Sequence, residues 1–237
     1  MKQSLLSRAD SHTRIKLCEF ESLDAAYEAC QIGADALGFH LFKHQPVESK
    51  TEKFVEIFHY LPGHVHRVLL TDLDLDVLLR VVLPVLPIDA IQLYPDWELE
   101  QILRLRDSLA PGVSILKVMS ARPDENFAAD DSEFLAYYSE AVDGILLDSF
   151  RVGGTGQTAD WNHCRNIVEQ SPLPVFLAGG LTVNNVDTAI SAVRPFGVDV
   201  ETGVSDRIPG GPLVKNMAKC RDFIAAVRMS DRKIGRG

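Results

Sequence analysis

The stretch Gly144-Ile145-Leu146-Leu147-Asp148-Ser149 is an apolar run that ends in an acid, and Gly153-Gly154-Thr155-Gly156 follows within a few residues. A short run of this kind is typical of a strand buried in a parallel sheet. In a closed α/β barrel, the carboxyl end of such a strand lies at the rim where active sites form. The stretch therefore predicts a buried strand that places Asp148 at the reactive rim of a barrel, as a candidate catalytic acid.

Similar units occur on both sides of this stretch. Short apolar runs alternate with amphipathic segments eight times without a break in composition, which specifies a parallel sheet with right-handed crossovers. The length of 237 residues suits one α/β (β/α)8 barrel, a TIM barrel, which needs about 250 residues. An open doubly wound sheet is the alternative, but Cys18-Glu19-Phe20-Glu21-Ser22 after the first run lacks its glycine fingerprint. We therefore predict a single-domain barrel.

The chain is expected to divide into three parts. Residues 1–13 are polar and aperiodic and predict a flexible N-terminal arm, residues 14–228 form the barrel, and residues 229–237 form a charged C-terminal tail. Within the barrel, His40 to Lys50 is expected to be a polar loop before a helix that starts near Phe54. The closing helix is expected to run from Leu213 to Val227.

Composition excludes several classes of protein. A formal net charge of −9 argues against a nucleic-acid surface, which requires clustered Lys and Arg. The polar start does not fit a signal peptide, and no run approaches the roughly 18 apolar residues of a membrane span, so a cytoplasmic protein is expected. The cysteines are widely and irregularly spaced, which argues against a disulfide framework or a zinc site. No metal is expected at Cys18, Cys30, Cys164 or Cys220.

Cys18 and Asp148 are the candidate reactive groups, because each stands at the carboxyl end of a predicted strand. A cysteine there acts as a general base if its thiol pKa is lowered, and it is an inert apolar filler if it is buried away from charge. Burial would raise the pKa of a carboxyl group and help it to hold a proton for donation. The other interpretation of Asp148 is a carboxylate that caps the following loop.

Two glycine-containing turns follow the last two predicted strands. Gly179-Gly180 and Thr202-Gly203 stand where barrels commonly bind phosphate through backbone amides, and Asp199 ends the last strand nearby. Simple tight turns are the structural alternative. These residues predict a site for a phosphorylated ligand.

The chain resembles the phosphoribosylanthranilate isomerase family from about Ile15 to Val227. At the front, the resemblance lies in Ile15-Lys16-Leu17-Cys18 and Gly33-Ala34-Asp35-Ala36-Leu37-Gly38-Phe39. In the second half, it is carried by a succession in order: Leu146-Leu147-Asp148-Ser149, Gly153-Gly154-Thr155-Gly156, Asp160-Trp161, Leu177-Ala178-Gly179-Gly180-Leu181, Asn184-Asn185-Val186, Pro195-Phe196-Gly197-Val198-Asp199-Val200 and Thr202-Gly203-Val204.

The resemblance implies an Amadori rearrangement of an N-aryl phosphoribosylamine, in tryptophan biosynthesis, without a cofactor. The acid that matches Asp148 protonates the ring oxygen and opens the sugar to an iminium, and the cysteine that matches Cys18 removes the C2 proton. The substrate-binding and phosphate-binding residues that it implies are Gly153, Gly154, Thr155, Gly179, Gly180, Asp199, Thr202 and Gly203. The expected partner is a phosphorylated sugar-amine substrate, and the protein is expected to be a monomer or homodimer.

The chain departs from the family pattern around the aromatic part of the substrate. Glu19 replaces a glycine after the cysteine, and its charge would raise the thiol pKa. The loop from His40 to Lys50 lacks the arginine that binds the aromatic carboxylate, so only Lys43 and Lys50 could replace it. Further replacements are Tyr94-Pro95 for histidine-glycine, Ala159 for phenylalanine and Glu201 for a small residue.

Three functions agree with this pattern. One is a divergent phosphoribosylanthranilate isomerase, and another is a paralogue that isomerises a different phosphoribosylamine. The third is a catalytically silent barrel that binds a phosphosugar or a partner.

Overall fold

The structure, a computed structural model, describes residues 4–7, 12–121, 131–148, 160–208, 210–211 and 213–236. Eight strands alternate with helices along the chain. The strands are β1 (Arg14–Leu17), β2 (Ala36–Leu41), β3 (His66–Thr71), β4 (Ala90–Leu93), β5 (Ser114–Ser120), β6 (Gly144–Asp148), β7 (Val175–Ala178) and β8 (Gly197–Val200). The helices are α1 (Leu23–Gln31), α2 (Val47–Tyr60), α3 (Leu75–Val77, continued by a π-helical turn over Leu78–Val82), α4 (Leu99–Ser108), α5 (Asp131–Tyr138), α6 (Trp161–Gln170), α7 (Val186–Val193) and α8 (Met217–Lys233).

The eight strands form a closed parallel barrel in sequence order. Closure is direct, because β1 pairs with β2 on one side and with β8 on the other, so that Leu17 lies beside both Leu37 and Val200. The predicted (β/α)8 barrel is confirmed, and the open doubly wound sheet is excluded.

Alternate residues of each strand serve two different cores. In β1, Ile15 and Leu17 point outward and pack in the apolar layer between sheet and helices, whereas Cys18 belongs to a smaller cluster inside the barrel. Lys16, between the two outward residues, is also fully buried. The period of two that all strands follow thus places Lys16 and Cys18 on the same inward face.

The second helix begins earlier than the sequence predicts, since α2 starts at Val47 inside the expected polar loop. Val47, Thr51, Phe54 and Phe58 follow helical spacing, and the Thr51 hydroxyl donates a hydrogen bond to the Val47 carbonyl over 2.7 Å. Thr51 is buried with the two phenylalanines. The prediction was wrong because a polar residue type occupies a position on the apolar face.

The start of the closing helix was also predicted incorrectly. Leu213–Lys215 forms a strand, β10, that pairs antiparallel with β9 (Ser205–Arg207). The helix α8 begins only after Asn216, whose side chain caps it by accepting a hydrogen bond from the Lys219 amide. It then continues past the predicted end at Val227 to Lys233.

The two ends of the chain make contacts with the barrel. Leu5 is fully buried in the cluster inside the barrel, and the Ser4 hydroxyl lies 2.9 Å from that of Ser114 at the start of β5. At the other end, Asp231 is buried and accepts hydrogen bonds from the amide and hydroxyl of Thr13. The expected boundary after residue 228 therefore falls within α8, and the division into arm, barrel and tail stays a prediction.

The expectations drawn from composition concern membranes and cysteines. No helix among the described residues is long and apolar enough to cross a membrane. All four cysteines lie within the described ranges, and each is a buried free thiol.

Candidate active site

Cys18 lies immediately after β1, at the carboxyl rim, beside a buried cation. The Lys16 ammonium donates hydrogen bonds to the Asp199 carboxylate over 2.9 Å and to the Cys18 sulfur over 3.4 Å. Asp199 reaches Lys16 because β8 closes the barrel against β1, with the two residues in register. The predicted cysteine therefore stands in an ionic setting and is not an isolated apolar filler.

The neighbouring strand β2 leaves room for the thiol and brings an imidazole to it. A Cβ atom at Gly38 would lie 2.6 Å from the Cys18 sulfur, so only glycine fits there. Two residues later on the same inward face, His40 places Nε2 3.2 Å from that sulfur. Cys18 and His40 thus form a contact pair at the rim.

A carboxylate completes this group from the end of β8. Glu201 Oε2 lies 3.5 Å from His40 Nε2. Beside it, Glu19 adopts a left-handed backbone conformation, with φ of 66°, at the position where the resembled family has glycine. Within the described part of the chain, Glu19 Oε2 is buried without a hydrogen-bond partner.

Burial sets the protonation of this group. It raises the pKa of the Cys18 thiol strongly, against the opposing charge of Lys16, and Asp199 and Glu201 raise it further. It lowers the pKa of His40 to about 3, with help from the Lys16 cation. Burial, followed by the charge of Glu19, raises the pKa of Glu201 to about 7. At neutral pH the resting site therefore holds a neutral thiol beside a neutral imidazole.

Asp148 is the last residue of β6, half-buried, with its backbone in register between Ser120 and Ala178. Tyr94, which directly follows β4, is also at this rim. Burial raises the pKa of Tyr94 well above its ordinary value, and the charges of Cys18, Asp199 and Asp148 add to that rise. Cys18 and Leu146 both belong to the cluster inside the barrel, and Asp148 is two residues after Leu146 on the same strand face, so the two predicted reactive residues lie at the same rim on the inward side.

The predicted glycine turns after β7 and β8 are in direct contact. A Cβ atom at Gly203 would lie 1.9 Å from the Leu181 carbonyl oxygen, which no side chain could tolerate. Gly179 and Gly180 both have positive φ, 89° and 65°. Thr202 begins a short 3-10 turn. These residues form one continuous edge of the rim, and their role as a shared ligand site stays a prediction.

A lysine that the sequence analysis did not identify lies under this edge. Lys215 of β10 donates hydrogen bonds to the Glu201 carbonyl over 3.1 Å and to the Ser205 hydroxyl over 2.7 Å. Burial lowers its pKa, and the charges of Cys18 and Glu201 oppose that shift. It supplies a second cation to the mouth, in addition to Lys16.

Not every predicted site residue joins this edge. Asp199 is held by Lys16 inside the barrel, so its side chain lies under Cys18. Gly153, Gly154 and Thr155 lie outside the described residues, as does Ala159.

Aromatic rings line the side of the mouth where the resembled family has arginine and histidine. Phe42 packs edge-on against Tyr94 at 5.4 Å and stacks with His44 at 6.0 Å between ring centroids. The two lysines that could replace the missing arginine are engaged with carboxylates, since Lys43 pairs with Asp74 at 2.7 Å and Lys50 with Glu21 at 2.6 Å. This side of the mouth is therefore aromatic, with its nearby lysines committed to other partners.

The sequence places His40 and Tyr94 at strand ends but predicts no role for them, and it does not single out Lys16 or Lys215. One signal was present, because Lys16 and His40 each share a strand face with a residue already singled out, at a spacing of two. Lys215 gave no such signal, since the segment around it was predicted as helix.

Fold and rim together define the class of protein: a single closed (β/α)8 barrel with a titratable cluster at the carboxyl ends of its strands, typical of barrel enzymes. The sequence profile of N-(5'phosphoribosyl)anthranilate (PRA) isomerase matches residues 15–226. The chain belongs to this family, so the predicted family and the isomerase class are confirmed.

Individual relatives agree with the family profile. The N-(5'-phosphoribosyl)anthranilate isomerase of Microcystis aeruginosa is 32% identical over 209 residues, which cover 86% of this chain and 94% of the relative. The crystal structure of phosphoribosyl anthranilate isomerase from Thermotoga maritima matches with a TM-score of 0.74 and 27% identity, over 92% of this chain and 99% of that one. A phosphoribosyl anthranilate isomerase in complex with reduced 1-(o-carboxyphenylamino)-1-deoxyribulose 5-phosphate gives 0.72 and 26%, with the same coverage.

Proposed function

We propose that this protein converts N-(5-phosphoribosyl)anthranilate to 1-(2-carboxyphenylamino)-1-deoxyribulose 5-phosphate in tryptophan biosynthesis, without a cofactor. Asp148 is the general acid and Cys18 the general base. The observation that carries the proposal is that Cys18 follows β1 and Asp148 ends β6 at the same carboxyl rim of one closed parallel barrel. A base and an acid on opposite sides of a bound sugar are what an aldose-to-ketose rearrangement requires.

The acid step opens the sugar ring. The carboxyl group of Asp148 donates a proton to the ring oxygen, the bond from that oxygen to C1 breaks, and C1 becomes an iminium with the substrate nitrogen. The half-buried position at the end of β6 holds this carboxyl group at the carboxyl rim, where barrel enzymes bind their substrates.

The base step takes the proton from C2 and leaves an enolamine, which tautomerises to the ketone. Cys18 is a thiol at rest, so it must first lose its proton. The Glu201 carboxylate accepts that proton, because it lies within 4.8 Å of the sulfur and its pKa of about 7 makes it a stronger base than His40, whose pKa is about 3. The Lys16 ammonium and the positive iminium formed in the first step then stabilise the thiolate. The thiolate is thus formed only when the substrate is in place.

The phosphate of the substrate binds at the edge formed by the turns after β7 and β8. Gly179, Gly180, Thr202 and Gly203 offer backbone amides there without side-chain obstruction. Lys215 adds a positive charge below the same edge. Gly153, Gly154, Thr155 and Asp199 complete the proposed substrate-binding set on the strength of the family pattern.

A second candidate function differs only in the amine of the substrate. The aromatic side chains of Phe42 and Tyr94 suit a ring, whereas Lys43 and Lys50 are paired with other carboxylates. A phosphoribosylamine without the aromatic carboxylate would need no cation there. The acid and base steps would be unchanged.

The expected setting of the enzyme is part of the proposal. The net charge of −9 supports a protein that binds neither nucleic acid nor an anionic membrane surface. A cytoplasmic location and a monomeric or homodimeric state agree with the sequence.

Cys18→Ser and Asp148→Asn test the mechanism while preserving side-chain size. The decay of phosphoribosylanthranilate fluorescence should slow by about 10²–10⁴-fold in each variant, because a positioned acid or base contributes that factor. Binding of the product analogue should change little. Cys164→Ser is the matched control, since Cys164 is equally buried in α6, far from the rim in the sequence of elements.

The results of these assays distinguish the three functional hypotheses. Full turnover in either variant would overturn the assigned roles. A wild-type protein that leaves phosphoribosylanthranilate unchanged but isomerises another phosphoribosylamine would establish the second candidate function. A wild-type protein that binds the product analogue and turns over neither substrate would be a silent barrel.

A further inference from the structure

We propose that Cys18, His40 and Glu201 form a binding site for a thiophilic divalent cation such as Zn²⁺, and that the bound ion blocks the substrate site. The metal site stands on its own geometry, whereas its effect on turnover rests on the proposed function. The sequence predicts no metal because its cysteines lack ligand spacing, but these three ligands come from the ends of β1, β2 and β8.

The three ligand atoms converge on one point. Cys18 Sγ lies 3.2 Å from His40 Nε2, Nε2 lies 3.5 Å from Glu201 Oε2, and all three atoms lie within 4.8 Å of one another. Tetrahedral zinc, with bonds of about 2.0–2.3 Å, holds such ligand atoms about 3.3–3.6 Å apart. The sulfur-to-nitrogen and nitrogen-to-oxygen separations are already close to these values, and the sulfur and the carboxylate, within 4.8 Å of each other, would close on the ion.

The arrangement differs from a proton relay. In a relay of thiol, imidazole and carboxylate, the acid contacts the ring nitrogen that does not face the thiol. Here the sulfur and the carboxylate approach the same nitrogen, Nε2. Convergence of the sulfur and the carboxylate on the same nitrogen is expected of three ligand atoms that share a central ion.

The charges around the cluster favour a divalent cation. The cluster holds four groups that are anionic when deprotonated, namely Cys18, Glu19, Asp199 and Glu201, against the two ammonium groups of Lys16 and Lys215. Glu19 Oε2 is buried and has no hydrogen-bond partner among the described residues, while the Glu19 carboxyl group is hydrogen-bonded to Glu201. A cation with charge of +2 would balance the group.

Binding of the ion does not require Lys16 or Lys215 to move. Lys16 is held by Asp199 at 2.9 Å, and Lys215 by the Glu201 carbonyl and the Ser205 hydroxyl. The three protein ligands leave a fourth zinc position open, as in sites where a ligand or water completes the shell. An ion in this place ties up the sulfur of Cys18, and the sugar then meets no free base.

Backbone contacts already fix the strand ends that carry the three ligands. The Cys18 amide donates a hydrogen bond to the Val200 carbonyl over 2.9 Å, which fixes the end of β1 beside the residue before Glu201. Gly38 fits against the Cys18 sulfur and fixes β2 on the other side. Ligands from three adjacent strand ends of a closed barrel need little backbone ordering to bind.

The test is a titration of the chelator-treated full-length protein with Co²⁺ alone, followed by Zn²⁺ in a calorimeter. We expect one ion per chain, a thiolate-to-cobalt charge-transfer band, and displacement of cobalt by zinc. His40→Asn and Glu201→Gln should each weaken zinc binding by more than about 100-fold, because even outer-shell changes cost about 10–100-fold. Cys164→Ser should bind the ion like the wild type.

Two further readouts complete the design. Zinc should inhibit the wild-type isomerase reversibly and competitively with the phosphosugar. Absence of the charge-transfer band, or binding unaffected by both His40→Asn and Glu201→Gln, would overturn the site. If the protein binds zinc by these residues but has no isomerase activity without metal, the proposed function fails and the site stands. If an active enzyme shows no band, the site fails alone.

Discussion

The two ends of the barrel use the same residue types for opposite purposes. At the amino end, an aspartate stands directly before β2, before β4 and before β6, and each accepts the backbone amide of the preceding strand. Asp35 binds the Ile15 amide over 2.8 Å, Asp89 the Arg67 amide over 2.8 Å, and Asp143 the Ile115 amide over 2.7 Å. Each of these carboxylates thus ties the starts of two neighbouring strands together.

Each of these aspartates also forms an ion pair with an arginine. Arg228 lies 3.0 Å from Asp35, the Arg67 side chain 2.8 Å from Asp89, and Arg106 2.7 Å from Asp143. The carboxylates are therefore satisfied by an amide and by a guanidinium at once, and the arrangement stabilises the fold without leaving a donor or acceptor for a ligand.

The carboxyl end lacks this completeness. Glu201 and the Cys18 thiol both contact His40 Nε2. Glu19 has one carboxylate oxygen without a hydrogen-bond partner in the described part of the chain, and the Glu19 backbone is in a left-handed conformation. Such incomplete pairing lowers stability and leaves groups ready to meet a substrate or an ion. In this barrel, the carboxylates at the amino end are fully paired and stabilise the fold, whereas those at the carboxyl end are incompletely paired and lie in the reactive site.

The largest loss of stability and of substrate affinity is expected from a substitution that forces apart the backbone of the two turns at the carboxyl end. In Gly203→Ala, the new Cβ would lie 1.9 Å from the Leu181 carbonyl oxygen, so the two phosphate-site turns must separate. We expect loss of about 3 kcal/mol of stability, as for overpacking of a rigid site, and a large rise in KM. Thermal unfolding and steady-state kinetics measure both.

Gly63→Ala is the control for that change, because a Cβ there meets nothing within 4 Å. It should leave KM and the melting temperature almost unchanged. A Gly203→Ala enzyme with wild-type KM would show that the contact between the two turns is not needed for phosphate binding.

A smaller effect is expected from the amino end in Leu5→Ala. Leu5 is fully buried inside the barrel, so its truncation should lower the free energy of unfolding by about 2–3 kcal/mol. Denaturant unfolding measures the loss, and kcat should stay at the wild-type value in the folded protein. If stability is unchanged, residues 1–13 behave as the flexible arm that the sequence predicts.

The smallest of the three effects is expected in Asp89→Asn. Asp89 accepts hydrogen bonds from the amide, Nε and Nη2 of Arg67, and removal of its charge should cost about 1–2 kcal/mol. The control is Glu169→Gln, which removes an exposed pair with Arg165 and should not change stability measurably. A fall in kcat with unchanged stability in Asp89→Asn would contradict the division of labour between the two ends.

Much of the fold could be predicted from the sequence, for reasons visible in particular residues. Strand β6 needs only Ile145, Leu146 and Leu147 in succession, because a strand covered on both faces is apolar at every position. The alternation of eight such runs with amphipathic helices then leaves few topologies open. The errors arose at Thr51 and at Leu213–Lys215, where tertiary contacts override the local pattern.

The sequence by itself determined the barrel, the family and the two residues at the centre of the proposed chemistry, because short-range periodicity and local motifs encode them. Only the tertiary structure decided which residues surround Cys18. Lys16 reaches Asp199, and His40 and Glu201 converge beside the thiol, because closure brings β8 and β2 to the two sides of β1. Those partners are separated by up to 183 residues along the chain, a distance over which no local pattern operates.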